Sequence, residues 1–289
     1  MNKKQTIAAF VLPAFIILLI LSIYPLIEVI HLSLIDRSLV KPDSGKFVGL
    51  ANFVKLFSDR RFWNALRVTF FWEVITVSFS LIFGILIALL IYRNIPSWLK
   101  GFLTLLFIMP AVLPRVAAAY SWRFMYSPLL GVFNYLLGLI SIKQVEFLAD
   151  RRLALASVAL IDIWQWSLLL SVIILGVLEA IPEEPIEAAQ IDGVKRWQLH
   201  WHITLPIIAP TLVSLSFLKI IESFRTFDLI YVLTKGGPGI VTETIDLYAY
   251  NVGLALEGNI SYGASISFIM FLLTLVIANI LWMVLKHES

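Results

Sequence analysis

Long apolar segments alternate with shorter polar segments along the whole chain. Six of the apolar segments are long enough to cross the hydrocarbon core of a bilayer as a helix, which takes about 20 residues. None of them shows the alternation over about ten residues that marks a membrane barrel strand. The pattern predicts an all-α integral membrane protein with six transmembrane helices, over residues 7–30, 68–92, 102–126, 153–178, 207–232 and 263–285.

Two amphipathic segments lie between these spans. The first covers residues 50–68, and its apolar side chains recur at near-helical spacing among basic residues, which predicts a helix lying in the interface plane. These side chains are Phe53, Leu56, Phe57, Phe62, Trp63 and Leu66. The second covers residues 131–140 and has the same character. We therefore divide the chain into a first helix with its outer loop, residues 1–66, and a transmembrane domain, residues 67–286.

The N-terminal apolar segment follows two lysines, as in a signal peptide. Its apolar run is longer than the core of a signal peptide, and no A-x-A cleavage site follows. We therefore expect this segment to remain as the first transmembrane helix.

The composition excludes several classes of protein. Only 14% of the residues are charged and 60% are hydrophobic, whereas a soluble domain carries about 25% charged residues. Cysteine is absent and the net charge is only +3, which excludes thiol catalysis and gives no indication of a nucleic-acid partner. The chain has no Walker sequence, no nucleophile–base pattern, and no third ligand near His200 and His202. We predict no catalytic residue, no cofactor in this chain and no metal site.

The polar segment between the fourth and fifth spans carries a distinct motif, EEPIEAAQIDGVKRWQLHWHITLPIIAP. Small residues allow another surface to approach, acidic residues favour a helix N-terminus, and Gly193 permits a turn between two short helices. In spacing and in its place before the penultimate span, the segment resembles the EAA loop of importer-type ABC permeases. The residues assigned to ATPase coupling by this resemblance are Glu187, Ala188, Ala189, Asp192, Gly193, Leu205 and Pro206.

Other stretches strengthen this resemblance over nearly the whole chain. IYPLIEVIHLSLID, FVGLANFVKLF, FWNALRVTF, FRTFDLIYVLTKGGPG and TETIDLYAYNVG are similar to the maltose and glycerol-phosphate branch of sugar-importer permeases, in its short six-span form. The resemblance implies the type I ABC importer transmembrane fold. It also implies that residues 180–206, which we name the EAA loop, are cytoplasmic.

The orientation of the chain follows from the resemblance rather than from its charges. More lysines and arginines fall on the side opposite the termini, and by the positive-inside rule this would place the termini outside. Because the EAA loop is cytoplasmic in the family, we instead expect both termini on the cytoplasmic side of the inner membrane.

The resemblance also implies the partners and the cargo. We expect a second, related permease subunit that completes a pseudo-symmetric heterodimer, an ATPase homodimer that binds ATP and Mg, and an extracytoplasmic sugar-binding protein. Membrane lipid surrounds the chain, and no nucleic acid is expected. The expected cargo is a sugar, in particular a disaccharide or oligosaccharide.

Ionisable residues inside the spans are candidates for the substrate pathway, because such residues are costly in a bilayer and usually paired or functional. Counted along straight helices at 1.5 Å per residue, Arg115, Asp162 and Lys219 fall at one depth. We expect Asp162 to pair with Lys219 or Arg115. The pair either lines the translocation pathway or only joins the helices.

On the fifth span, charged residues recur every third position and aromatic residues lie between them. This pattern predicts a charged stripe along one helix, which faces either a partner subunit or a sugar. The full candidate pathway set is Arg115, Asp162, Trp166, Lys219, Glu222, Phe224, Arg225, Asp228 and Tyr231.

Two other functions remain as alternatives. An ion-coupled secondary transporter would act without an ATPase, but such folds usually show inverted repeats, and we find no convincing repeat here. A membrane-embedded enzyme lacks support because no catalytic pattern is present.

Overall fold

A computed structural model describes residues 3–41 and 45–288 of the chain. The predicted position of the termini concerns in part residues 1, 2 and 289, which lie outside this description. Two short strands, β1 (Ile35–Asp36) and β2 (Lys46–Phe47), pair in antiparallel register. The described helices are α1 (Lys3–Ser33), α2 (Ala51–Phe57), α3 (Arg60–Ile91), α4 (Ser97–Val112), α5 (Arg115–Met125), α6 (Val132–Leu139), α7 (Ala154–Glu179), α8 (Glu184–Ile191), α9 (Arg196–Leu199), α10 (Leu205–Ser223), α11 (Phe227–Leu233), α12 (Ile245–Tyr250) and α13 (Ile260–Glu288).

The helical architecture agrees with the predicted all-α membrane fold. In the described part of the chain, five segments are long and apolar enough to cross a membrane as one helix: Val11–Ser33, Arg60–Ile91, Ala154–Glu179, Arg196–Ser223 and Ile260–Ile280. The pair of helices α4 and α5 forms a sixth span if the two are taken together.

The predicted third span is not one straight helix, which corrects the sequence prediction. Helices α4 and α5 meet at an angle of 96°. Leu113 is extended, with ψ near 130°, and Pro114 follows it directly. A proline lacks the backbone N–H and disfavours helical geometry in the residue before it, so the helix ends at Val112 and starts again at Arg115.

The predicted fifth span is also interrupted, so the charged stripe on one continuous helix is wrong. Helix α10 ends at Ser223, and α11 begins only at Phe227. The backbone N–H of Arg225 bonds to the carbonyl of Glu222 over 3.0 Å, which closes the end of α10 as a tight turn. As a result, Lys219 and Glu222 lie on α10, and Asp228 lies on α11.

The predicted interfacial helix is shorter than its sequence pattern suggests. Helix α2 ends at Phe57, and Phe62, Trp63 and Leu66 belong to the long helix α3 instead. Asp59 accounts for this division, because its carboxylate accepts the backbone N–H of Arg61 over 2.8 Å at the start of α3, as an N-cap residue does. Residues 131–140 do form a short helix, α6, over Val132–Leu139.

The chain divides into two compact units by internal contacts. One contains the described residues up to Trp63 together with Ile245–Leu273, and the other contains Asn64–Thr244 and the described residues from Thr274 onward. In the second unit, the ends of α3 and α7 pack with the start of the EAA loop in one apolar cluster. Its fully buried members include Ala88, Leu170, Leu178 and Ile186.

Candidate functional site

The EAA loop forms two short helices with a glycine turn between them, as the sequence predicts. Helix α8 begins with Pro185 in its first turn and carries Glu184 and Glu187 there, where the N-terminus favours negative charge. Gly193 follows with φ of +71°, a backbone conformation that glycine adopts without cost. Helix α9 then leads through a π-helical turn, His200–Thr204, into α10.

Helix α8 has one face toward the core and one face outward. Ile186 and Ala189 are buried, whereas Glu187 and Ala188 are exposed. Ile191 lies beside them with 86% of its surface exposed. Ala189 therefore packs inside the protein, and of the two motif alanines only Ala188 is open to another surface.

The remaining loop residues assigned to ATPase coupling lie at the turn after α8 or at the start of α10. Asp192 and Gly193 are exposed at the turn. Leu205 is half-buried and Pro206 is exposed at the first turn of α10.

The three candidate charges in the spans meet in one cluster. Lys219 Nζ donates to Asp162 Oδ2 over 2.5 Å, and Arg115 Nη2 donates to Asp162 Oδ1 over 3.3 Å. Lys219 and Asp162 are fully buried, and Arg115 retains 17% exposure. The structure contains both pairs that the sequence left as alternatives, although the straight helix used to place Arg115 is wrong.

Arg115 also joins the breaks in the two interrupted spans. It is the first residue of α5, and its Nη1 donates to the carbonyl of Arg225 over 3.1 Å, between α10 and α11. Its Nη2 lies 3.7 Å from Glu222 Oε1, and the other carboxylate oxygen of Glu222 lies 3.7 Å from Arg225. One guanidinium thus holds the ends of two broken helices together.

Aromatic residues accompany the cluster on two sides. Lys219 Nζ lies 5.0 Å from the ring centre of Trp166. On α11 the rings of Phe227 and Tyr231 stack with their centres 5.2 Å apart. Phe224 is half-buried between α10 and α11, and Asp228 is exposed.

A small cavity opens beside the cluster. It measures about 110 Å³, and its lining combines apolar side chains with the indole, guanidinium, amide and carboxylate groups of Trp166, Arg115, Gln165 and Glu222. Of the predicted pathway residues, the structure therefore brings together Arg115, Asp162, Trp166, Lys219, Glu222 and Arg225. It places Asp228 and Tyr231 on the separate helix α11.

Sequence reasoning missed Glu73. This residue lies on α3, and Ser223 at the end of α10 donates to its Oε2 over 2.7 Å. The hydroxyls of Ser223 and Thr76 also lie 3.2 Å apart. The signal was available, because Glu73 is the only charged residue in the predicted second span.

Comparisons with known proteins agree with the motif. A family model described as "Binding-protein-dependent transport system inner membrane component" matches residues 80–286. The "Probable ABC transporter permease protein y4oQ" of Sinorhizobium fredii is 35% identical over 99% of this chain and 92% of its own length. The "Trehalose/maltose transport system permease protein MalF" of Thermococcus litoralis is 32% identical over 92% of this chain and 88% of its own.

The fold agrees with a solved structure as well. A crystal structure of a bacterial alginate ABC transporter in complex with an alginate pentasaccharide-bound periplasmic protein contains a chain that is similar with a TM-score of 0.83 at 24% identity. The match covers 97% of this chain and 93% of that chain. The chain therefore belongs to the family of binding-protein-dependent transport system inner membrane components, within the branch of carbohydrate-uptake ABC permeases that its motifs resemble.

Proposed function

We propose that this chain is the permease subunit of an ABC importer that carries a sugar across the inner membrane, driven by a separate ATPase through the EAA loop. The observation that carries the proposal is the outward face of α8. This face places an exposed apolar side chain, a small residue and a carboxylate next to each other: Ile191, Ala188 and Glu187. A partner that excludes water from Ile191 would gain the free energy of its burial, roughly 1.5–3 kcal/mol.

The proposed partners follow from the family. A second permease subunit completes the pathway as a pseudo-symmetric heterodimer, and an ATPase homodimer holds ATP and Mg. An extracytoplasmic binding protein delivers the sugar, in keeping with the periplasmic protein in the structure of the alginate transporter. The trehalose/maltose relative favours a disaccharide or oligosaccharide as cargo.

The charge cluster is the proposed pathway element of this chain. The charge cluster comprises Arg115, Asp162 and Lys219, the adjoining residues Glu222 and Arg225, and Glu73, whose carboxylate accepts from Ser223 at the end of α10. It thus contains three cations and three carboxylates. Because the formal charges balance, the cluster gives no net attraction for an anionic cargo, and a neutral sugar suits it better than a sugar phosphate. Indole rings offer a flat apolar face to sugar C–H groups, and Trp166 lines the cavity at this point.

The mechanism couples the two sites through the helices between them. Closure of the ATPase dimer on ATP would displace the EAA loop, and α10 continues from that loop to the charge cluster. Because the helices are interrupted after Val112 and after Ser223, α5 and α11 can change their angles to α4 and α10 without breaking the backbone hydrogen bonds of a continuous helix. Arg115 holds both interruptions and is placed to respond to such a change.

The test uses Gly193, because the backbone conformation at this position restricts which residues can replace the glycine, whereas the neighbouring atoms do not. A Cβ added there would meet nothing within 4 Å, but φ of +71° costs a β-branched residue about 1–2 kcal/mol. We expect Gly193→Val to lose both the associated ATPase and the uptake of trehalose or maltose. Gly193→Asn is the matched control and retains both, because asparagine tolerates this conformation.

The experiment is read by co-purification and by vesicle uptake with the neighbouring subunits expressed together. If the parent chain brings down no ATPase, or if Gly193→Val takes up sugar as the parent does, the proposed function is wrong.

A further inference from the structure

Two ion pairs join the tip between α3 and α4, residues 92–100, to the end of α7 and the start of the EAA loop. Arg93 Nη2 donates to Glu183 Oε1 over 3.2 Å, and Lys100 Nζ donates to Glu179 Oε1 over 2.8 Å. Glu183 immediately precedes α8, and Glu179 is the last residue of α7. The α3–α4 tip therefore contacts the chain just before the first helix of the EAA loop.

A single amide side chain connects the same tip to the second helix of the loop. Asn94 Nδ2 donates to the carbonyl of Leu90 over 2.8 Å, in the last turn of α3. Its Oδ1 accepts a hydrogen bond from Arg196, the first residue of α9. Asn94 thus ties the end of α3 to the part of the loop that lies beyond Gly193.

Apolar packing supports these polar contacts. Ile186 and Ala189 on α8 and Leu199 on α9 belong to the same buried cluster as Ile91 and Tyr92 at the end of α3. The loop therefore rests on the α3–α4 tip with its inner face, while the outer face of α8 stays open. A displacement of α8 must carry the tip along or break this packing.

The polar contacts determine position more than stability. Glu183 and Glu179 are 74% and 47% exposed, and ion pairs of this kind contribute about 0–1 kcal/mol each. Arg93 nevertheless adopts φ of +58°, a conformation that is uncommon for residues other than glycine. Substitutions here should leave folding intact, so any loss of transport would report on coupling.

We propose that the α3–α4 tip is a second coupling element, in which Arg93 and Asn94 are positioning residues that pass the movement of the EAA loop to α3 and α4. The helices that receive the movement lead to the charge cluster, because Glu73 lies on α3 and Arg115 follows α4 after the break. The proposal rests on the proposed function, since it takes the EAA loop to be the contact with the ATPase.

The first experiment measures coupling in the assembled transporter in liposomes, with trehalose and maltose as probes. In Asn94→Ala and Arg93→Gln, assembly and ATP hydrolysis persist, and sugar taken up per ATP falls about fivefold or more. Asn279→Ala is the matched control, because Asn279 is an exposed asparagine that donates the same bond to a carbonyl four residues earlier, over 2.8 Å. This control retains the parent ratio.

The second experiment requires no sugar. The chain has no cysteine, so Ser97→Cys and Gln190→Cys can carry a pair of spin labels on the tip and on α8, both at exposed positions. ATP leaves the distance between the labels unchanged in the parent, because tip and loop move together. In the Asn94→Ala background, ATP changes this distance.

A charge exchange separates positioning from a general effect on the loop. Arg93→Glu faces Glu183 with a like charge and lowers sugar uptake per ATP, and combining it with Glu183→Arg restores uptake. The tip is not a coupling element if Asn94→Ala and Arg93→Gln keep the sugar uptake per ATP of Asn279→Ala and if ATP leaves the label distance unchanged in the Asn94→Ala background. In that case the proposed function still stands as long as Gly193→Val loses uptake. If the parent binds no ATPase, the proposed function fails first.

Discussion

At the scale of single residues, the buried charges show how an apolar chain keeps polar groups inside. Asp162 accepts from both Lys219 and Arg115, so its two carboxylate oxygens each have a cationic partner. Such a cluster contributes less net stability than its short distances suggest, because desolvation offsets the attraction. Removal of one partner is nevertheless costly, since it leaves a buried charge without compensation.

Asp162→Asn should be the most damaging single substitution in the cluster. It leaves the fully buried Lys219 and the neighbouring Arg115 without their shared carboxylate, and we expect a loss of about 3–5 kcal/mol in the free energy of unfolding. Lys219→Met should cost less, because Asp162 keeps Arg115 as a partner. The double variant should recover most of the loss, measured as thermal unfolding in detergent. Equal losses in the two single variants, with no recovery in the double, would contradict the pairing.

A second carboxylate, Asp59, lies outside the spans and should give the protein a pH dependence. Burial alone would raise the pKa of Asp59, but hydrogen bonds from Tyr248, Tyr262 and the backbone N–H groups of Arg61 and Phe62 outweigh it. The pKa of Asp59 is therefore held below its ordinary value of 3.8. Burial, together with the bond to Asp59, raises the pKa of Tyr248, which remains a donor.

We expect the stabilisation by Asp59 to be present at neutral pH and lost on acidification. A carboxyl group whose pKa is lowered in the folded state stabilises it above the ordinary pKa, and the effect disappears as the pH falls through the lowered pKa. The difference in Tm between the parent and Asp59→Asn should therefore be largest near neutral pH and should narrow below about pH 4. Tyr248→Phe is the control, because it removes one donor and leaves Asp59 able to titrate. If the Tm difference between the parent and Asp59→Asn does not change with pH, the charge of Asp59 does not contribute to stability.

At the scale of helices, the sequence predicts elements better than it predicts their interruptions. The sequence predicts the fourth span over residues 153–178, and the structure shows it as Ala154–Glu179. This agreement is expected because the length of an apolar run is a local property. The break after Ser223 contains neither proline nor glycine. It coincides with the contact between Arg115 and the carbonyl of Arg225, which joins residues far apart in the chain. The contact between Glu73 and Ser223 also joins residues far apart in the chain, so the sequence pattern does not predict it.

Close approach of two backbones sets a requirement for glycine at position 263. A Cβ there would lie 2.7 Å from the Cα of Gly253 and 3.0 Å from the carbonyl oxygen of Ala249. Both atoms belong to the backbone, so α13 would have to move away from α12 and the π-helical turn that follows it. We expect Gly263→Ala to destabilise the protein by about 1–3 kcal/mol.

The control for this prediction is Gly176→Ala on α7. A Cβ at Gly176 meets nothing within 4 Å, and alanine in a helix interior gains about 0.5–1 kcal/mol over glycine. Thermal unfolding of the two variants in detergent should therefore give shifts of opposite sign. If Gly263→Ala unfolds at the same temperature as the parent, α13 can move away from α12 without a loss of stability, and the prediction is wrong.

At the scale of the whole molecule, the proposed function gives this chain a pathway element and a docking element, and it assigns the source of energy to a separate ATPase. The family membership was predictable because the EAA motif and the order of the spans are both local in sequence. The geometry that links the EAA loop to the spans is not predictable in this way, because it depends on contacts between distant parts of the chain. These contacts involve the inner face of α8, the α3–α4 tip and the two interrupted spans. An ABC importer differs from an ion-coupled transporter in the energy source that drives transport.

We expect uptake to depend on ATP and not on an ion gradient. Sealed vesicles that contain the assembled transporter should accumulate trehalose or maltose when ATP is supplied on the side of the EAA loop. Uptake should continue after a protonophore and a sodium ionophore have dissipated both gradients, because the proposed driving force is closure of the ATPase on the loop. Gly193→Val vesicles serve as the control for leakage, and they should take up little sugar under either condition. Uptake that stops with the ionophores and ignores ATP would identify an ion-coupled transporter and would remove the role assigned to the EAA loop.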